Sequence, residues 1–400
     1  MTATDDTSVG VAADYNGLRQ AEPSLPAAWY YDAGQFKTEM STVWAKSWLY
    51  LCRSAALSGA GAYKTLSVGE QNILVLRTRE GRLAGYFNVC RHRGSILLTE
   101  AEGTLPAGRV ICPYHQWCYG GEDGGLIGTT SFAEPAGFQK AGHGLFRISV
   151  VEWRGFVFVN LDPDAVWDDE VAFQRGAAKL TDYPLERLVL GHRWVRQVAC
   201  NWKSFWENFN ECLHCPSVHP SLSKLVPLYR RRQINERDRP DWREHAQDPD
   251  PKYRGGLRPG AETWSMDGSA QGRLIPELSE ADVARGQIYA VALPSAYIGC
   301  YGDHARIVRL LPLGPEAIEL TVEWLFPPET LADPGYDMAK VVDFAVTVLE
   351  EDGRACELSQ RGLHAAPYQA GVLMPEEYHL KTFHDWLRAA LMPTDGNDDH

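Results

Sequence analysis

The chain has 400 residues, 44% hydrophobic and 23% charged, which is enough material for two or three domains with real cores. Its net charge of −13 disfavours non-specific nucleic-acid binding, and no apolar run is long enough to span a bilayer. Nine cysteines without a regular framework fit a reducing cytoplasm, and MTATDDTSVG offers neither a secretory nor a twin-arginine signal. Residues 1–44 read as a mobile tail with the start of a lead-in helix around Asp32–Ser47. From Trp48 the period shortens. YLCRSAAL, AYKTLSV, NILVLRT, LAGYFNV, RVICPY, LFRISVVEW and GFVFVNL are short β-branched or aromatic runs broken by Gly and charged turns. They predict an all-β module over 45–163, followed by a charged, helix-like link (Val166–Lys179). The remainder, 164–400, predicts further strands (LVLGHRWVRQVA, IYAVALPSAYIGCYG, ARIVRLLPLG, AIELTVEWLF) and two late helices, near Tyr336–Leu363 and Glu376–Leu391. Between them, 226–286 is polar and reads as a surface excursion or lid, partly disordered.

Within the β module stand Cys90-x-His92 and, nineteen residues on, Cys112-x-x-His115. Two thiolates and two imidazoles suit a Rieske [2Fe–2S] centre, with both Cys on one iron and both His on the other. They also suit tetrahedral zinc. Zinc fingers, however, usually keep Cys pairs and His pairs apart, whereas each half here mixes one Cys with one His. Both halves lie in loop chemistry: Arg93-Gly94 follows the first, and Pro113 with Gly120, Gly121, Gly124 and Gly125 surrounds the second. Such loops aim backbone N–H groups at sulfur.

The stretch NVCRHRGSILL…VICPYHQWCYGGEDGGLIG resembles the Rieske domain of the ring-hydroxylating, Rieske non-haem iron oxygenases, and the resemblance extends over most of the chain. Respiratory Rieske proteins carry an extra Cys in each ligand loop. Ser95 and Tyr114 stand there instead, which implies a low-potential, oxygenase-type centre. The implied fold is α+β: an all-β Rieske domain, then a catalytic domain with an antiparallel sheet and flanking helices, of the helix-grip kind.

A second constellation runs Asn201-Trp202-Lys203…Glu207-Asn208…Glu211-Cys212-Leu213-His214-Cys215-Pro216…His219-Pro220. Two His and one carboxylate on one face hold a mononuclear Fe(II) with positions open for O2 and substrate. His214 and His219 would not share a face of a regular helix, and Pro216 should break or kink it. Glu211 and His214, three apart, would share one. Cys212 and Cys215 could be a redox pair or half a zinc site; otherwise they and the remaining cysteines outside the cluster are small buried hydrophobes. The family carries E/D-x-x-H-x-x-x-x-H here. By that resemblance His214 and His219 are iron ligands, and Glu211, with Asn208 beside it, belongs to the catalytic group. Glu211 corresponds to the acid linking the iron to the Rieske His of a neighbouring subunit. Leu213 departs from the family's common Tyr. For the third ligand, Glu350, Glu351 and Asp352 are candidates. Asp352 lies on an apolar stripe with Val341, Ala345, Val348 and Cys356, but Glu351 also has apolar neighbours, so periodicity does not choose. The family pattern, with Glu357, Gln360 and Gly362 following, places the ligand on Asp352.

The resemblance therefore implies O2 activation at Fe(II), electrons from a separate flavin/[2Fe–2S] NAD(P)H reductase, and a homotrimer. The C-terminal half resembles the branch acting on glycine betaine, carnitine, stachydrine and choline, which implies N-demethylation of a small cationic amine with release of formaldehyde. Trp206, Tyr289, Tyr297 and Trp324 are candidate cation-binding faces, each with core packing as its default role. Ring dihydroxylation or O-demethylation with the same metals is the enzymatic alternative; a pure Rieske electron carrier is the alternative from another class.

Overall fold

The structure, a computed structural model, describes residues 14–174 and 176–392. Of the expected mobile tail, residues 1–13 lie outside the described residues, but the part before the helix is packed and not free: Glu22–Pro23 pairs with Val372–Leu373, and Leu25, Ala27 and Tyr30 are buried. The lead-in helix is shorter than expected, Ala33–Thr42, with Asp32 accepting from the Gln35 N–H as its N-cap. The Val166–Lys179 link is not a continuous helix. It holds one turn at Asp169–Ala172 and a 3-10 turn at Ala177–Leu180.

Seven antiparallel strands form the first sheet, in the order Leu49–Arg53, Phe156–Asn160, Arg147–Trp153, Leu83–Phe87, Gln71–Arg77, Ala62–Val68 and Glu102–Thr104. A smaller sheet of Arg109–Ile111, Cys118–Gly120 and Leu126–Gly128 carries the second Cys/His loop. The second half is built on five antiparallel strands, ordered Val189–Val198, Ala317–Phe326, Ala305–Gly314, Ala296–Cys300 and Ile288–Ala292. IYAVALPSAYIGCYG, read as one run, is thus a hairpin of two strands, paired from Ile288↔Cys300 to Ala292↔Ala296.

One core joins the two halves: Leu49, Val157 and Val159 of the first sheet pack in the same cluster as Val308, Leu320 and Val322 of the second. Tyr50 Oη donates to Glu323 at 2.7 Å across that junction.

Two helices pack beside the second sheet. Trp202–Phe209 is N-capped by Asn201, and its Lys203 is fully buried against Glu39 of the lead-in helix, with Nζ 2.7 and 2.8 Å from the two carboxylate oxygens. Ala339–Leu363 runs for 25 residues with Val341, Ala345 and Cys356 buried, as the stripe predicts. Gln360 of this helix accepts from the Asn201 N–H at 2.9 Å. That bond ties the start of one helix to the end of the other and fixes their mutual height.

The 226–286 segment corrects the expectation of a partly disordered surface lid. Short helical turns replace strands, but Tyr229, Leu257, Trp264 and Ile275 are buried in the cores. Its apolar residues are spaced too irregularly for a period to reveal them. Among the described residues no helix is long and apolar enough to cross a membrane.

Candidate active site

The 202–209 helix stops at Phe209, and the backbone from Glu211 to His214 is an irregular turn. Glu211 and His214 meet there without sharing a helix face: Glu211 Oε2 accepts from the Leu213 N–H, and its Oε1 bonds His214 Nδ1. Pro216 initiates the short helix Cys215–Val218 rather than breaking a longer one, because the first helical turn needs no proline N–H. His219 is the joint between that helix and Pro220–Leu225, with non-helical φ −118° and ψ 69°. This corner turns His219 back towards His214; the two rings lie edge-on, centroids 5.1 Å apart. Cys212 and Cys215 are not free apolar side chains but a disulfide, formed because the same turn brings them together.

Asp352 projects from the long helix to complete the group. His214, His219 and Asp352 offer donor atoms all within 4.8 Å of one another, and among the described residues no other His, Cys or acid group of three or more gathers so closely. Asp352 Oδ1 lies 2.7 Å from His219 Nε2 and 3.5 Å from His214 Nε2. Both Nδ1 atoms turn outward to carboxylates, His214 to Glu211 and His219 to Glu351 at 2.8 Å. Asn208 Nδ2 is 3.5 Å from His214 Nε2. Two imidazoles and one carboxylate converging on one face, with each outward N–H held by an acid, suit a mononuclear iron and its supporting hydrogen bonds. Glu351, weighed as an alternative ligand, instead backs His219. Replacing it with Gln is expected to weaken iron binding about 10- to 100-fold, the usual cost of losing such a partner; Co(II) titration of metal-free protein measures it.

Charge in the metal-free triad sets how it loads. Burial opposes a proton on His214, but hydrogen bonds to Asp352 and Glu211 outweigh it and raise its pKa to about 9. Burial likewise opposes charge on Asp352, and the two imidazoles overcome it, holding the carboxyl near 2. His214 therefore carries a proton at neutral pH that iron must displace. Metal affinity is expected to rise at least about tenfold per pH unit up to about pH 9 and to fall on acidification, measured by the same titration at stepped pH. The His214 ion pair in the metal-free fold behaves oppositely. Its stabilisation is complete below the ordinary imidazole pKa and is lost as pH rises through about 9.

In the Rieske-type loops Cys90 and Cys112 are buried, 3% and 1% exposed, while His92 is exposed beside them. The His92 and His115 rings stand 4.7 Å apart, and Tyr119 Oη lies 3.2 Å from Cys90 Sγ. Burial would raise the Cys112 thiol, but backbone N–H groups of His115 and Tyr114, with the Cys90 and Ser95 side chains, hold it below its ordinary value. A zinc ion with bonds of about 2.0–2.3 Å would gather all four donors within about 4 Å; these four are not so gathered. Sulfurs inside and imidazoles at the rim fit a cluster with one iron for each pair.

A cavity of about 870 Å³ opens above the triad. His214, His219, Asp352, Glu211 and Asn208 line it together with Phe209, Tyr229, Trp264, Tyr289, Tyr297 and Arg306. Of the expected aromatic candidates, Tyr289 and Tyr297 reach it. Trp206 and Trp324 do not: both are fully buried in the core, and Trp206 Nε1 donates to the Pro294 carbonyl at 2.8 Å. Phe209, Trp264 and Arg306 were not singled out in the sequence. Only Arg306 left a signal there, a charge amid the apolar run ARIVRLLPLG.

Residues 47–139 match the Rieske [2Fe-2S] domain profile, and residues 185–392 match that of the ring hydroxylating alpha subunit, catalytic domain. The chain belongs to the ring-hydroxylating alpha-subunit family. It is a Rieske non-haem iron oxygenase, with a [2Fe–2S] cluster and a mononuclear iron as its cofactors. The pure electron-carrier alternative is thereby set aside. The glycine betaine monooxygenase oxygenase subunit of Chromohalobacter salexigens is 32% identical over 95% of this chain and 88% of that protein. The carnitine monooxygenase oxygenase subunit of Escherichia coli K12 is 34% identical over 52% of this chain and 55% of its own length. A solved structure of the quaternary ammonium Rieske monooxygenase CntA has the same fold, with TM-score 0.71, 20% identity, and coverage of 93% of this chain and 96% of that one.

Proposed function

We propose that this oxygenase N-demethylates a small betaine-like quaternary or tertiary amine. His214, His219 and Asp352 hold the iron, Cys90, Cys112, His92 and His115 hold the cluster, and Glu211 and Asn208 complete the catalytic group. The observation that carries the substrate class is an aromatic cage on the cavity wall. Phe209 stacks on Tyr297 at 4.4 Å, and Tyr289 stands edge-on to both at 5.6 and 5.7 Å. Ring faces attract a trimethylammonium group without a hydrogen bond, which such a cation cannot donate. Similarity to betaine and carnitine monooxygenase subunits supports the same class.

When bound, the iron and cluster supply O2 activation and electrons. The chain's own residues orient the amine, keep the cavity apolar around the attacked N–CH3 group, and hold the imidazole protons through Glu211 and Glu351. Hydroxylation of that methyl gives a carbinolamine that collapses to formaldehyde and the demethylated amine. None of the four cluster residues lines the cavity, and His92 is exposed. This supports a homotrimer in which the Rieske site of one subunit serves the iron of the next. The reading further includes a cytoplasmic location and a flavin/[2Fe–2S] NAD(P)H reductase as the electron donor.

The deciding experiment couples O2 uptake to formaldehyde release, using loaded protein, a surrogate reductase, and a panel of betaines and aromatic acids. Stoichiometric formaldehyde from a quaternary ammonium compound is expected. Uptake stimulated only by aromatic acids would move the reading to ring hydroxylation or O-demethylation.

A further inference from the structure

Arg306 is 4% exposed, lines the catalytic cavity, and has no carboxylate within 4 Å among the described residues. A guanidinium carries five N–H donors and one positive charge. Here Nη2 donates to Tyr301 Oη at 2.9 Å, and Nε is buried without a partner. Tyr297 and Tyr289 are its other polar neighbours. Burial pushes all three phenols above their ordinary pKa, so they remain neutral and none balances the charge. Among the described residues the other two buried arginines differ. Arg309 donates to the Leu51 carbonyl and Thr321 and lies 3.6 Å from Glu319. Arg53 donates to the carbonyls of Leu185 and Leu188. Neither lines this cavity.

The sheet builds this placement deliberately. Arg306 pairs across the ladder with Gly299. A Cβ at 299 would come within 2.8 Å of both Tyr289 and Tyr301, so glycine lets the two rings close over the guanidinium's neighbourhood. A buried charge without a counter-ion is costly, and an active-site cavity is where a ligand can supply one. Tyr297 lines the same cavity as Arg306 and Asp352 and lies within electrostatic reach of both.

We infer that Arg306 is the carboxylate-binding residue of the substrate site, so that the preferred ligand is a zwitterion: trimethylammonium in the Phe209–Tyr289–Tyr297 cage towards the triad, carboxylate on Arg306. This rests on the amine reading above and adds a choice within it. A cation lacking an anionic group, such as choline, would meet Arg306 unneutralised and bind poorly.

Calorimetric titration of the cluster- and iron-loaded protein under anaerobic conditions tests this. The probes are trimethylammonium carboxylates of increasing chain length, the corresponding trimethylammonium alcohols, and carboxylates with carbon in place of nitrogen. For the best-fitting length the carboxylate is expected to bind about ten- to a hundredfold more tightly than the alcohol, the range of one charge-assisted hydrogen-bonded pair. Arg306→Gln should erase that difference by weakening the carboxylate, while the alcohol's affinity holds or rises as the opposing charge is removed. Equal binding of acid and alcohol by the unaltered protein overturns the assignment, even if the variant does not fold. So does an Arg306→Gln loss shared equally by acid and alcohol. Carbon-for-nitrogen carboxylates that bind through Arg306 while no trimethylammonium compound binds would uphold Arg306 and defeat the amine reading. Trimethylammonium compounds that bind irrespective of their carboxylate would do the reverse.

Discussion

Replacing Asp352 by alanine is expected to abolish turnover and leave the visible spectrum of the Rieske cluster intact. The proposed ligand sets lie in separate parts of the chain, Cys90, His92, Cys112 and His115 in one half and His214, His219 and Asp352 in the other, so loss of one should not disturb the other. Iron should fall from about three to about two atoms per chain, following from a two-iron cluster plus one mononuclear ion. Two neutral imidazoles alone cannot offset the charge of a divalent ion, and Asp352 is the carboxylate aimed at both Nε2 atoms. Glu351 cannot take its place, because it already bonds His219 Nδ1 on the outer side. Asp352→Asn, which keeps the shape and removes the charge, should fall between the two in iron content. Full iron occupancy in Asp352→Ala with activity retained would show that the third ligand has been misassigned.

The case of Asp352 shows where the sequence was informative and where it stopped. Helical periodicity put Asp352 on the same stripe as Val341, Ala345 and Cys356, and the structure buries those three. Periodicity could not separate Asp352 from Glu351, since adjacent helical residues lie about 100° apart and both edges of the stripe were apolar. What separates them is the position of His219, and that depends on a corner between two short helices at Pro216 and Pro220. Proline marks a boundary in a sequence but not the direction the chain takes after it. The strands were legible because their alternation is local. The cage was less so: Tyr289 lines the cavity and Trp324 does not, although both lie on strands of one sheet. Which face of a doubly covered strand meets a cavity is decided by its partners, not by its own composition. For the same reason the 226–286 segment looked like a surface excursion, while Tyr229 and Trp264 within it close the cavity.

The second large effect is expected from Glu211→Gln, and it separates two roles of one carboxylate. Glu211 accepts from His214 Nδ1 through Oε1, and from the N–H groups of Leu213 and His214 through Oε2. A glutamine has one acceptor oxygen, and its NH2 group must then face either the His214 ring or those backbone donors. Either the turn from Glu211 to His214 loosens or His214 loses the anion that holds its outward N–H. If supporting His214 were its whole task, iron affinity and turnover should fall together by about 10- to 100-fold. If Glu211 also joins the iron site to the Rieske centre of a neighbouring subunit, turnover should fall much further than iron content. Reoxidation of the pre-reduced cluster, followed by its absorbance after mixing with O2 and substrate, reads the second role directly. A large slowing of reoxidation in Glu211→Gln that retains most of its mononuclear iron is the expected result. Reoxidation at the unaltered rate, with only iron affinity reduced, would confine Glu211 to its bond with His214 and leave the route between the centres to other residues.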